Sequence, residues 1–289
     1  ESLRAARFQI ETLRHGSGTL QAHLPALSAR AQRRLQQLHA LVMAPLAARL
    51  APCRRLLIVP CGPLGVLPFA ALHDGQRSLG EHIDLALAPS ARLALHALAR
   101  RAAPAQRALV LGESSRLPHA AREAQTVAAL FADGQAFVGA QAQLAVLERE
   151  AAQADVIHLA CHAQFRTDNP MFSALDLHDG ALSVERIAGL RLRPGTVVLS
   201  ACETGLSAVA GDDEQVGLVR AFLGAGAARV VASLWPVDDG ITSDFMSRFY
   251  GELRAGQSPA HALRTAQAAI RQRHPHPFHW AAFVLHGGW

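Results

Sequence analysis

Hydrophobic positions fall into short apolar runs separated by longer amphipathic stretches. Leu56-Leu57-Ile58-Val59, Ala108-Leu109-Val110-Leu111, residues 136–138, 155–162, 196–201 and 228–234 are each a few residues long and mostly rich in branched side chains. Runs of that length, bounded by polar residues, Gly or Pro, predict buried strands. A further strand is predicted at His82–Leu87, and a last one at Trp280–Leu285. Between them, helices are predicted from Ser90 to Arg101 and over 119–132, 142–152, 213–224, 240–254 and 258–273, while the stretch after residue 162 reads as a polar insertion. Strands alternating with helices imply an α/β fold: a mainly parallel sheet between two helical layers, with right-handed crossovers.

Residues 1–50 follow another pattern. Leu35, Leu38, Leu41, Val42, Leu46 and Leu50 recur at helical spacing, with Ser28 placed to cap the helix and Pro45 to bend or end it. The reading is a helical arm over 1–50 ahead of a main domain over 51–289. Its apolar stripe must pack on that domain or on a preceding helical array.

Composition narrows the function. Of 289 residues, 50% are hydrophobic and 18% charged, which suits a globular chain with a large core. The formal charge of +5 comes from arginine without any lysine, scattered among alanines, and aromatics make up only 5%. Direct nucleic-acid binding is therefore not expected, since such surfaces cluster their cations and interleave stacking platforms. No apolar stretch is long enough for a membrane span, and no basic leader precedes one. The opening Glu1-Ser2-Leu3 reads as cut from a longer chain. Cys53, Cys61, Cys161 and Cys202 are irregularly spaced, with no CxxC pair, so reduced thiols and a cytoplasmic setting are expected.

Two residues stand where chemistry is expected. His162 closes the run Val156-Ile157-His158-Leu159-Ala160-Cys161, and Cys202 closes Thr196-Val197-Val198-Leu199-Ser200-Ala201. In open parallel sheets the carboxyl ends of neighbouring strands line one crevice. A thiol beside an imidazole there can attack a carbonyl, the imidazole taking the thiol proton and returning it to the leaving group. Core filling is the competing reading for Cys202, and a backbone-satisfied imidazole for His162. His158, mid-strand, is read as support, and Cys161, on the opposite face from His162, as core. No metal or cofactor is expected: residues 161 and 162 face opposite ways, and His274, His276 and His279 are interrupted by prolines and read as a loop.

The acidic residues Asp212-Asp213-Glu214 suit a helix cap. Asp238 and Asp239 follow the strand at 228–234 and have two readings, a helix cap or a selector for a cationic substrate side chain. Gly224-Ala225-Gly226-Ala227 reads as a helix-to-strand turn that needs small residues.

Several stretches in order resemble the CHAT domain, a caspase-like peptidase domain often found after tetratricopeptide repeats. They include Leu57-Ile58-Val59-Pro60 with Gly62-Pro63-Leu64, Leu67-Pro68-Phe69, Ala88-Pro89-Ser90 and Leu117-Pro118 with Arg122-Glu123-Ala124. His158-Leu159-Ala160-Cys161-His162, Leu199 to Gly205, Ser233 to Asp239, Phe249-Tyr250 and Trp280-Ala281-Ala282-Phe283 complete the set. The resemblance implies a caspase-like three-layer α/β/α sandwich, a His162 and Cys202 dyad, and proteolysis regulated by an upstream helical repeat region or activating partner, in defence or signalling. Ala163 stands where the family usually has Gly, Cys61 where it has Asp, and Cys161 where it has Thr. Ala163 still offers its backbone N–H, so the expected oxyanion donors are the N–H groups of Ala163 and Cys202. The expected substrate is a protein, cut after a basic residue if Asp238 or Asp239 selects it. The rivals are a catalytically silent interaction or scaffold module and a thiol-dependent amidase or acyltransferase.

Overall fold

Strand residues sort by parity. Val110, Val156, Val198 and Val231 are buried in one core, while Leu109, Leu111, Ile157, Leu159, Val197, Leu199 and Val230 are buried in a second. Period-two geometry requires this division when helices cover both faces of a sheet. The structure is a computed structural model that describes all residues except 15–17, 101–104, 116, 118, 165–172, 201–213 and 237–238.

The chain opens with α1 (Ser2–Glu11), α2 (Leu24–Val42) and the single turn α3 (Ala47–Leu50). Strands β1 (Arg55–Ile58) and β2 (Asp84–Leu87) pair in parallel. Helix α4 (Ala91–Ala99) is capped by Ser90, whose hydroxyl accepts the Leu93 N–H at 3.2 Å. Next come β3 (Arg107–Gly112), α5 (Ala120–Ala128), β4 (Asp133–Val138), α6 (Leu144–Glu150) and β5 (Val156–Ala160). The region read as a polar insertion holds a separate antiparallel sheet of β6 (His162–Gln164), β7 (Ala174–Leu177) and β8 (Gly180–Ser183), followed by α7 (Val184–Gly189). The main sheet resumes with β9 (Thr196–Leu199), α8 (Glu214–Ala225) and β10 (Arg229–Ser233). Helices α9 (Asp239–Arg254), α10 (Pro259–Arg273) and α11 (Pro277–Trp280) lead to β11 (Phe283–Gly287).

Among the described residues, the main sheet has eight strands in the order β1-β2-β11-β10-β9-β5-β3-β4, parallel except where β11 runs against β10. One core gathers residues of α1, α2, α5, α9, α10 and α11; the other gathers α6, α7, α8 and the small sheet. The expected three-layer α/β/α sandwich with a mainly parallel sheet is what forms.

The arm joins this body. Ile10, Ala31 and Leu35 are buried in the same core as Phe69 and Phe278, so of the two surfaces left open for its stripe, the main domain is the one used. Arg7 on α1 donates to the Leu234 carbonyl at 3.2 Å and is held by Glu11 at 2.7 Å.

Three local expectations change. Ser28 lies inside α2, which starts one turn earlier because Pro25 fits a first turn, where an N–H has no helical partner. Trp280 ends α11 and does not open the last strand, and of the run read as a loop His274 and His276 do lie outside the helices while His279 falls inside α11. Gly226 does serve the helix-to-strand turn: its φ is +129°, and a Cβ there would stand 2.3 Å from the Leu192 carbonyl oxygen.

Candidate active site

The sheet order brings the two candidate strands together. β5 and β9 are adjacent and parallel, in the register Val156↔Thr196 to Leu159↔Leu199, and the Ser200 N–H donates to the Leu159 carbonyl at 3.0 Å. Their carboxyl ends therefore leave the sheet side by side. β3 flanks β5 on one side, and β10 flanks β9 on the other. In sequence, His162 follows β5, Cys202 comes after β9, and Asp238 and Asp239 come after β10, three strands that are parallel neighbours in the sheet.

His162 is half-buried and does not end its strand as the apolar run suggested. The chain leaves the main sheet at Cys161, and His162 opens β6 of the small sheet instead. Ala163 is buried in the second core opposite Leu175. Cys202 and Asp238 lie outside the described residues, and Asp239 opens α9 with its side chain also outside them.

The two neighbours of His162 have separate tasks. Cys161 is fully buried in the second core, and burial pushes its thiol far above the usual range, so it is an inert core residue, as its strand parity indicated. His158 is fully buried on the opposite face, its Nδ1 2.8 Å from the Tyr250 hydroxyl and its Nε2 3.1 Å from Glu123 Oε1. Burial, reinforced by the Glu123 carboxylate, raises the Tyr250 hydroxyl well above the phenol range, so it stays protonated. A neutral imidazole satisfies both contacts, with Nδ1 accepting from Tyr250 and Nε2–H donating to Glu123. His158 thus ties β5 to α5 and α9, the supporting role read from its position.

Two acidic groups at the rim were not singled out from sequence. Glu113 directly follows β3, and its N–H donates to the Ala160 carbonyl at 2.9 Å. Its carboxylate is buried and accepts from the Ser115 N–H at 3.0 Å and the Ser115 hydroxyl at 2.9 Å. Asp176 on β7 stands opposite His162 in the antiparallel pair. An acid straight after a strand was a readable signal for Glu113; the cross-strand register that places Asp176 was not. Among the described residues, no group of three His, Cys, Asp or Glu side chains is arranged to hold a metal.

Comparison with known proteins adds the following. The sequence model of the CHAT domain family matches residues 32–288. Human tetratricopeptide repeat protein 28 is 34% identical over 113 residues, covering 38% of this chain and 4% of that protein. The mouse protein of the same name is 29% identical over 211 residues, covering 59% of this chain and 8% of that protein. The chain therefore spans a small fraction of these relatives. Among solved structures, a Saccharomyces cerevisiae separase–securin complex aligns with a TM-score of 0.55 at 13% identity, over 77% of this chain and 14% of that one. The complex of the Porphyromonas gingivalis RgpB pro- and mature domains aligns with a TM-score of 0.56 at 10% identity, over 99% and 74%. The Arg-specific cysteine proteinase gingipain R aligns with a TM-score of 0.52 at 9% identity, over 91% and 68%. At such identities the likeness is one of fold, and the fold is caspase-like.

Proposed function

Because this chain belongs to the CHAT domain family, we propose that it is a caspase-like cysteine endopeptidase in which His162 and Cys202 form the catalytic dyad. The observation that carries this reading is the pairing of β5 and β9, parallel neighbours whose carboxyl ends lead to those two residues. The imidazole of His162 takes the Cys202 thiol proton, and the thiolate sulfur bonds to the carbonyl carbon of the scissile peptide. The N–H groups of Ala163 and Cys202 donate to the oxyanion of the tetrahedral intermediate. As the C–N bond breaks, the imidazolium returns its proton to the leaving amine. Water, deprotonated by the same imidazole, then releases the acyl group and regenerates the thiol.

Asp238 or Asp239, following the strand next to β9, selects a basic residue before the cut. The arm at 1–50 connects the peptidase domain, 51–289, to an upstream helical repeat region through which a partner activates it. The two tetratricopeptide repeat relatives support that association. The protein acts in the cytoplasm on a protein substrate, in a defence or signalling pathway.

Labelling with peptidyl acyloxymethyl ketones carrying Arg, Asp or Leu next to the warhead tests this reading, with and without candidate activators. Wild type is expected to label, and both Cys202→Ala and His162→Ala to lose labelling at least about a hundredfold. Undiminished labelling of Cys202→Ala removes the dyad. Exclusive labelling by the Asp probe removes the basic preference.

A further inference from the structure

The small antiparallel sheet does more than carry His162. On β6 and β7, the pair Ala163 and Leu175 is buried in the second core. Period-two geometry turns the flanking residues His162, Gln164 and Asp176 to the other face. His162 and Asp176 are direct cross-strand partners there, and such pairs hold their Cβ atoms roughly 4.5–5.5 Å apart. Gln164, the next residue on that face, donates its side-chain amide to both Asp176 oxygens, at 2.9 and 2.7 Å. An ionised carboxylate has about four acceptor positions, so this clip fixes its rotation without exhausting its capacity.

We propose that Asp176 is a positioning residue for His162: its carboxylate orients the imidazole and stabilises the imidazolium, while Gln164 holds the carboxylate in place. The inference rests on the dyad reading above and supplies the orienting anion that a two-residue dyad lacks. A negative charge at cross-strand distance favours the protonated imidazole, and with it the thiolate–imidazolium pair that attacks the substrate. Among the described residues, the other ionisable groups flanking His162 on β5, β6 and the end of β3 are already engaged or buried elsewhere. Glu113 is bonded to Ser115, Cys161 lies in the second core, and His158 is bonded to Tyr250 and Glu123.

The test reads the imidazole without relying on catalysis. In the full chain carrying Cys202→Ala, the His162 side chain is titrated by NMR, its resonance assigned with His162→Gln, and the titration is repeated with Asp176→Asn added. The midpoint is expected to fall, the direction that loss of a neighbouring opposite charge imposes. An unmoved midpoint overturns the proposal. Should Asp176→Asn fail to fold, Gln164→Ala is titrated in its place: a smaller downward shift supports the proposal and none overturns it. In the chain that keeps Cys202, the alkaline limb of the labelling profile is expected to move to lower pH in Asp176→Asn and to recover partly in Asp176→Glu; a stationary limb is evidence of a merely structural clip and overturns it. Failure of Cys202 to label would remove the peptidase reading and leave the imidazole titration to judge Asp176 alone.

Discussion

Tyr250 is fully buried, and its hydroxyl meets the imidazole of a fully buried His158 at 2.8 Å. Phe131 and Phe249 pack edge-on against its ring at 5.4 and 5.2 Å, so a phenylalanine in its place keeps those contacts and loses only the hydroxyl. Tyr250→Phe strands His158 Nδ1 in the core, and a buried polar atom left without a partner costs about 1–3 kcal/mol. The urea midpoint should fall accordingly, with the slope unchanged; an unaltered midpoint would show that the bond contributes nothing net. The same neighbourhood shows how far single residues can be read from sequence. The burial of His158 and Cys161 follows from their place in an apolar run, and the rim position of His162 from its being the first residue after it. The break at Cys161 carries no Gly or Pro, so nothing in the run shows that His162 enters a second sheet. Asp176 escaped notice for the same reason, since its importance lies in a pairing register that local sequence does not encode.

Among elements, β3, β5, β9 and β10 were legible because each is a run of mostly buried apolar residues, and β5, β9 and β10 fall within the predicted runs. The small sheet was not legible. Its strands are three or four residues long and mix Ala, Gly, Gln and Ser with a few leucines, too short to show a period. The helix α2 lies between these cases: its stripe was evident, but what covers it was not. Leu35 is buried with Phe69 and Phe278, whereas Leu41, on the same stripe by spacing, is 66% exposed. Leu35→Ala is therefore expected to cost about 2–5 kcal/mol by leaving a cavity, and Leu41→Ala to stay within about 0.5 kcal/mol of wild type. Equal thermal shifts for the two variants would contradict the docking of the arm described above.

For the molecule as a whole, the buried imidazoles set the pH range in which the fold holds. His276 and His286 are both buried, and each has an Nε2 atom without a hydrogen-bond partner among the described residues. Burial lowers His286 to about 4; burial, with the nearby His279 adding to it, lowers His276 to about 4. His73 and His82 are shifted downward too, chiefly by burial. For His276 and His286 the sign follows from proton counting: the unfolded chain binds protons there as pH falls through about 6.5, while the folded chain resists until about 4. Stability is thus complete above that upper value and is lost across the window, on the order of 2 kcal/mol for each of His276 and His286 by pH 5. The carboxylates Asp74, Glu81 and Glu150, held below their ordinary values, add their own loss only in more acidic solution. Urea unfolding between pH 7.5 and 5 should therefore show a steep decline before any carboxylate titrates. His286→Gln removes one proton site from the unfolded chain, so its curve should flatten by about 1.4 kcal/mol per pH unit in the middle of that window. A decline confined to pH below 4.5, or one that His286→Gln leaves as steep as wild type, would show that these imidazoles take up protons in the folded chain as freely as in the unfolded one.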